Sequence, residues 1–150
     1  MLTTAIHTRA TIDAPPESVW RVLTDLHAYA DWNPLIVAAA GTPATGARLD
    51  LTIRDATGRE QRFRPLVTAF DDAREFAWLG RLGIPGVLDG AHRFRLVRDG
   101  DRTVLEHTEQ MQGLLVPVLR GRLARDVTPA FEAMNVALAA RVRVVSAAGA

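Results

Sequence analysis

The chain opens on an alternation. Ile6, Thr8, Ala10 and Ile12 alternate with His7, Arg9 and Thr11, the period of a half-buried strand over residues 5–12. Asp13 and Pro15-Pro16 break it. A helix is predicted to begin with Pro16 or Glu17 in its first turn, where a missing N–H and a negative charge are both favourable. Val19, Trp20, Val22, Leu23 and Leu26 supply its apolar stripe. Residues 27–32 form a second short helix or turn. Asn33-Pro34 stops it, because proline pushes the preceding residue out of the α region.

Strand patterns dominate the middle of the chain. Residues 36–40 form one strand, closed by Gly41-Thr42-Pro43. In residues 47–54, Leu49, Leu51 and Ile53 alternate with Arg48, Asp50, Thr52 and Arg54. A hairpin turn at 55–58 leads to a strand at 61–70, in which Pro65 marks an edge position or a bulge. A strand at 75–80 precedes the loop 83–86. Residues 91–98 and 103–111 make a hairpin around Asp99, Gly100 and Asp101.

From Leu114 the period becomes helical. Pro117 suits a first turn, and Phe131, Met134, Leu138, Val142 and Val145 share a face. Pro129 costs roughly 3 kcal/mol in a helix interior. A kink or break between Asp126 and Pro129 is therefore predicted, with Thr128 as a fresh N-cap. Residues 146–150 are expected to fray. The order is strand, two short helices, about six to seven strands and a long C-terminal helix. It predicts one α+β domain over 1–150, an antiparallel sheet covered by helices.

Composition narrows the chemistry. The chain has 150 residues, 48% of them hydrophobic, enough for one domain with a sizeable core. It has no cysteine, which excludes disulfides, thiol nucleophiles and thiolate metal sites. All 18 basic residues are arginine, which excludes Schiff-base lysine chemistry. Ser18, in a first helical turn, and Ser146, in the tail, do not suggest a serine hydrolase. A net charge of +1 gives no bulk attraction to nucleic acid, and Arg120, Arg122 and Arg125 read as a solvated helix face. No apolar run reaches membrane-span length and no secretory leader is evident, so membrane insertion is not expected and a cytoplasmic location is.

Four segments carry a resemblance: the stretch from Ile12 to Trp20, the Trp32-Asn33-Pro34 stop, His107-Thr108-Glu109 followed by 113–117, and residues 131–138. In this order they resemble the SRPBCC superfamily, the START-like helix-grip domains that include polyketide cyclases and dehydrases. The resemblance implies a sheet wrapped around the terminal helix with an internal apolar cavity. It also implies a small hydrophobic ligand, lipid-, polyketide- or aromatic-like. It names no reaction, and Pro129 departs from the unbroken helix usual in the family.

Polar residues on inward positions are the candidates for chemistry. Phe94 and Leu96 set the inward face of the first hairpin strand, which includes His92; Leu105 and Met111 set that of the second, which includes His107 and Glu109. The turn centred on Gly100 places His92 opposite His107 or Glu109, with Cβ atoms about 5 Å apart. Such a group could orient a ligand, act as a general acid or base, or form a self-satisfied network joining sheet to helix. A metal site on His92, His107 and Glu109 is conceivable, but the H-E-x-x-H spacing is missing, and neither metal nor cofactor is expected. Trp32 and Trp78 are candidates for cavity wall or core. Arg64 would clamp a ligand carboxylate if turned inward, and is an ordinary solvated arginine if not. Phe94, Met111, Leu115, Leu119, Met134 and Leu138 complete the expected lining. The leading expectation is binding or carriage of a small hydrophobic molecule by a monomer or weak homodimer. A cyclase or dehydratase using a His/Glu acid–base pair is the alternative, and a protein-interaction module a second one; whether the chain is an enzyme stays open.

Overall fold

Eight strands and three α-helices make up the computed structural model, which describes residues 2–149. Strand β1 (Thr3–Ile12) leads through Pro15 into α1 (Pro16–Thr24), whose face Val19, Trp20, Val22 and Leu23 is buried. A 3₁₀ turn (Leu26–Ala28) and the short α2 (Tyr29–Trp32) follow. Asn33 ends α2 in an extended conformation, and its Oδ1 accepts from the N–H groups of Leu35 and Ile36 at 3.0 and 2.9 Å. The Trp-Asn-Pro stop is therefore an Asx turn as well as a proline effect.

Strands β2 (Ile36–Ala40), β3 (Asp50–Arg54) and β4 (Glu60–Phe63) form a three-stranded antiparallel sheet. Strands β5 (Leu66–Asp71), β6 (Glu75–Arg81), β7 (Asp89–Asp99) and β8 (Arg102–Gln112) join β1 in a five-stranded antiparallel sheet ordered β1-β8-β7-β6-β5. The single strand expected at 61–70 is thus two strands in different sheets. Pro65 has no N–H for a ladder and sits where the chain changes sheet. The sheets remain stitched at that corner: Leu49 donates to the Pro65 carbonyl at 3.1 Å and Val67 to that of Ala47 at 2.8 Å.

Helix α3 (Val116–Ala148) lies against the concave side. Its buried residues Phe131, Met134, Leu138 and Val142 meet Ile6, Phe94, Leu96 and Leu105 of the large sheet in one core that α1 also joins. The helix runs through Pro129 without the expected break, and Thr128 caps nothing new. Four buried apolar side chains beyond the proline, each contributing about 1.5–3 kcal/mol, outweigh one lost ladder bond. Ser146 to Ala148 belong to the exposed last turn of α3, while Ala150 lies outside the described residues. No helix among the described residues is long and apolar enough to cross a membrane.

Candidate functional site

The β7–β8 hairpin pairs His92 with Glu109 and Phe94 with His107. His92 and His107 are both buried, the latter completely. Aromatic rings enclose them. Trp78 of β6 stacks on His92 at 4.6 Å between centroids, and Phe131 of α3 stacks on His107 at 4.1 Å.

A directed hydrogen-bond chain runs through this pocket, and its direction follows from one group that can only accept. The His107 carbonyl takes the Thr8 hydroxyl hydrogen at 2.8 Å. Thr8 Oγ1 then accepts from Asn135 Nδ2 at 2.9 Å. That turns Asn135 Oδ1 toward His107, whose Nδ1 lies 2.7 Å away and must carry the proton. In the neutral ring Nε2 is left with a lone pair, and His92 Nε2 donates to it at 2.8 Å. His92 Nδ1 therefore keeps a lone pair too, and it faces Glu109 Oε2 at 3.9 Å. Strand β1, the β7–β8 hairpin and α3 are tied together by this chain.

Burial sets the charges. It pushes the Glu109 carboxyl up to about 7. It holds His107 down at about 3, against the opposing pull of the Asn135 hydrogen bond. His92 lies well below the usual histidine range, through burial first and its neighbour His107 second. Near neutral pH both rings are uncharged, and Glu109 is divided between acid and carboxylate. Gly90 makes room for that carboxyl: a Cβ there would lie 2.5 Å from Glu109 Oε1.

Glu109 opens onto a cleft of about 440 Å³, within the range of roughly 300–1,000 Å³ common for small-molecule sites. Leu51, Ile53 and Phe63 of the small sheet form one wall; Trp78, Leu88 and Met111 form another. Leu119, Leu123 and Val127 of α3 close it, and Asp55, Arg59, Arg81, Arg122 and Asp126 contribute charge to its lining. The lining is mostly apolar, and Glu109 is its one deeply set carboxyl.

Of the expected wall residues, Trp78, Glu109, Met111 and Leu119 come together here. His92 and His107 lie behind Glu109. Phe94, Met134 and Leu138 are completely buried in the core and line no part of the cleft, because the rings of His92 and His107 lie close against Phe94, and Phe131 packs on both histidines and fills that space. Leu115 is 38% exposed at the N-cap of α3. Arg64 points to solvent and pairs with Asp50 at 3.0 Å. Trp32 packs on Tyr29 at 5.2 Å, and the Asp31–Arg141 pair ties α2 to the late part of α3, whereas the cleft uses the early part. Thr8 and Asn135 were not singled out from the sequence, although each is a polar residue inside an otherwise apolar stripe. The β3–β4 wall had only the alternation of Leu49, Leu51 and Ile53 as its signal. No group of three or more His, Asp or Glu residues suited to a metal ion occurs among the described residues.

A sheet curved around a long helix with a cleft between them is the START-like arrangement. The family model for "polyketide cyclase / dehydrase and lipid transport" matches residues 3–143. The chain belongs to the polyketide cyclase/dehydrase and lipid transport family. Solved structures agree on the fold of this family member. A START superfamily protein from Mycobacterium smegmatis superimposes with a TM-score of 0.78 at 20% identity, covering 94% of this chain and 98% of that one. The Zhui aromatase/cyclase from Streptomyces sp. R1128 gives 0.77 at 22% identity over 95% and 94%. A Thalictrum norcoclaurine synthase point mutant, in complex with a transition-state analogue, gives 0.75 at 16% identity over 97% of each. Among curated proteins none matches the chain in sequence.

Proposed function

We propose that this family member binds a small apolar molecule bearing one or two polar groups in the cleft between the small sheet, β6–β8 and the first half of α3. The observation that carries the reading is Glu109: one carboxyl, held near neutral protonation, reaching into an otherwise apolar lining. As an acid it donates to a ligand carbonyl; as a carboxylate it accepts from a ligand hydroxyl. The apolar walls supply affinity through burial, and the carboxyl supplies orientation. The test is displacement of a hydrophobic naphthalene-type fluorophore by fatty acids, sterols and aromatic polyketides. At least one class should compete, and Glu109→Gln should change which. Failure of the fluorophore and of all three classes to bind would sink the reading.

A second reading, acid–base catalysis on a polyketide-like or aromatic substrate, draws support from Glu109 itself: with its carboxyl raised to about 7, the carboxylate form can take a proton from substrate and the resulting acid can return it. Turnover lost in Glu109→Gln with retained affinity favours the enzyme; altered affinity with no turnover in either protein favours the carrier.

A further inference from the structure

Ten large apolar side chains are strongly exposed among the described residues, and six of them occupy one corner: Leu2, Leu82, Ile84, Leu114, Leu115 and Val118. Backbone hydrogen bonds hold the contributing segments together. Gly113 donates to the Leu2 carbonyl, Leu114 to that of Gly86, and Leu115 to that of Val87. The start of β1, the β6–β7 loop and the β8–α3 corner therefore form one surface. Ile84, Leu114 and Val118 are 73%, 79% and 80% exposed, protruding tips rather than walls of a groove. Apolar groups gathered in this way mark a contact site.

The charge around the corner is predominantly positive: Arg81 pairs with Asp89, Arg122 and Arg125 share Asp126, and Arg64 pairs with Asp50, which leaves the arginines in excess. Neither the stretch 79–88 nor 110–125 contains an acidic residue, while together they carry Arg81, Arg120, Arg122 and Arg125. Beside them, Arg48, Arg62, Arg64 and Arg81 line a surface hollow that includes Leu82. A second copy of the chain, docked about a two-fold axis, would set these arginines against one another. Apolar tips ringed by cations suit a surface that is anionic outside, apolar just beneath and indifferent to shape.

We propose that this corner docks peripherally on an anionic lipid bilayer. Leu82 and Arg81 also line the cleft, as does Arg122, so docking sets the cleft beside the lipid. The surface exists whatever the cleft holds, and its test uses the full chain without added cleft ligand, so either idea can fail alone.

Co-sedimentation with phosphatidylcholine vesicles, with and without phosphatidylglycerol, tests the proposal. Binding is expected only with phosphatidylglycerol and should vanish in about 0.5 M salt. Ile84→Asn/Leu114→Asn/Val118→Asn should weaken it at least about tenfold, and Arg120→Gln about fivefold. Val136→Asn/Val144→Asn, exposed elsewhere on α3, should leave it unchanged. Circular dichroism checks folding, and the Ile84→Asn single variant serves if the triple variant unfolds. No binding to phosphatidylglycerol vesicles, equal loss in the α3 control, or a patch that alters only self-association would overturn it.

Discussion

Glu109 is the residue whose charge most depends on the fold. Its carboxyl has no hydrogen-bonding cation beside it, only the lone pair of His92 at 3.9 Å, so burial acts unopposed and raises it from 4.5 to about 7. The folded chain then holds a proton that the unfolded chain has already released. A raised acid contributes stability in full below the unfolded value of 4.5, and that contribution is lost as pH rises through 7. The buried histidines act oppositely: their stabilisation is present above 6.5 and is lost as pH falls, through about 3 for His107. Glu109→Gln removes the first effect and leaves the second. Between roughly pH 6.5 and 8, its unfolding free energy should rise relative to the native sequence by about 1 kcal/mol in urea titrations. A constant difference across that range would mean that Glu109 is solvated. The inward facing of His92, His107 and Glu109 could be read from alternation. The tautomers could not, because they are set by Asn135 and Thr8, 28 and 99 positions away from His107 and its carbonyl.

Two prolines show how elements answer to their surroundings. Pro65 and Pro129 both lack the N–H that a ladder needs. At Pro65 nothing compensates, and the strand divides between two sheets. At Pro129 the helix continues, because the face from Phe131 to Val142 is clamped onto the large sheet. Local preference decided the first outcome and packing the second. Pro129→Ala should therefore restore the ladder bond to the Arg125 carbonyl without moving the helix. Thermal and urea unfolding should show a gain of about 2 kcal/mol, the helix cost less the unfolded-state advantage of proline. A loss of stability would indicate that α3 needs a bend at this point. A turn at Gly100 narrowed the register of the β7–β8 hairpin to pairings that keep Phe94, Leu96 and Leu105 on one face, with His92 opposite His107 or Glu109, and the structure takes the second.

Across the whole molecule, core and cleft divide the inward-facing residues between them. Phe131, Met134 and Leu138 fill the space over the middle of the large sheet, while Leu119, Leu123 and Val127 stand over the gap where β3 and β4 curve away. Leu138→Ala should cost about 2–5 kcal/mol of stability and leave fluorophore affinity unchanged, whereas Met111→Ala, on the cleft wall, should alter affinity. An affinity change in Leu138→Ala would place ligand space deeper than the cleft. The order of the elements and the inward faces of the hairpin were determined by the sequence alone, apart from the division of 61–70 and the continuity of α3 through Pro129, while the START-like class was implied by the resemblance of four segments. Strand and helix periods are local, and burying one apolar face of each allows few arrangements. Tertiary structure alone decided which inward residues meet void and which meet one another. It placed Trp32, Phe94, Met134 and Leu138 away from the cleft, turned Arg64 and Leu115 to solvent, and brought Thr8 and Asn135 to His107. The reason is geometric: periodicity gives the direction of a side chain, while the distance to what it faces depends on how two sheets joined at the Pro65 corner are set against the helix.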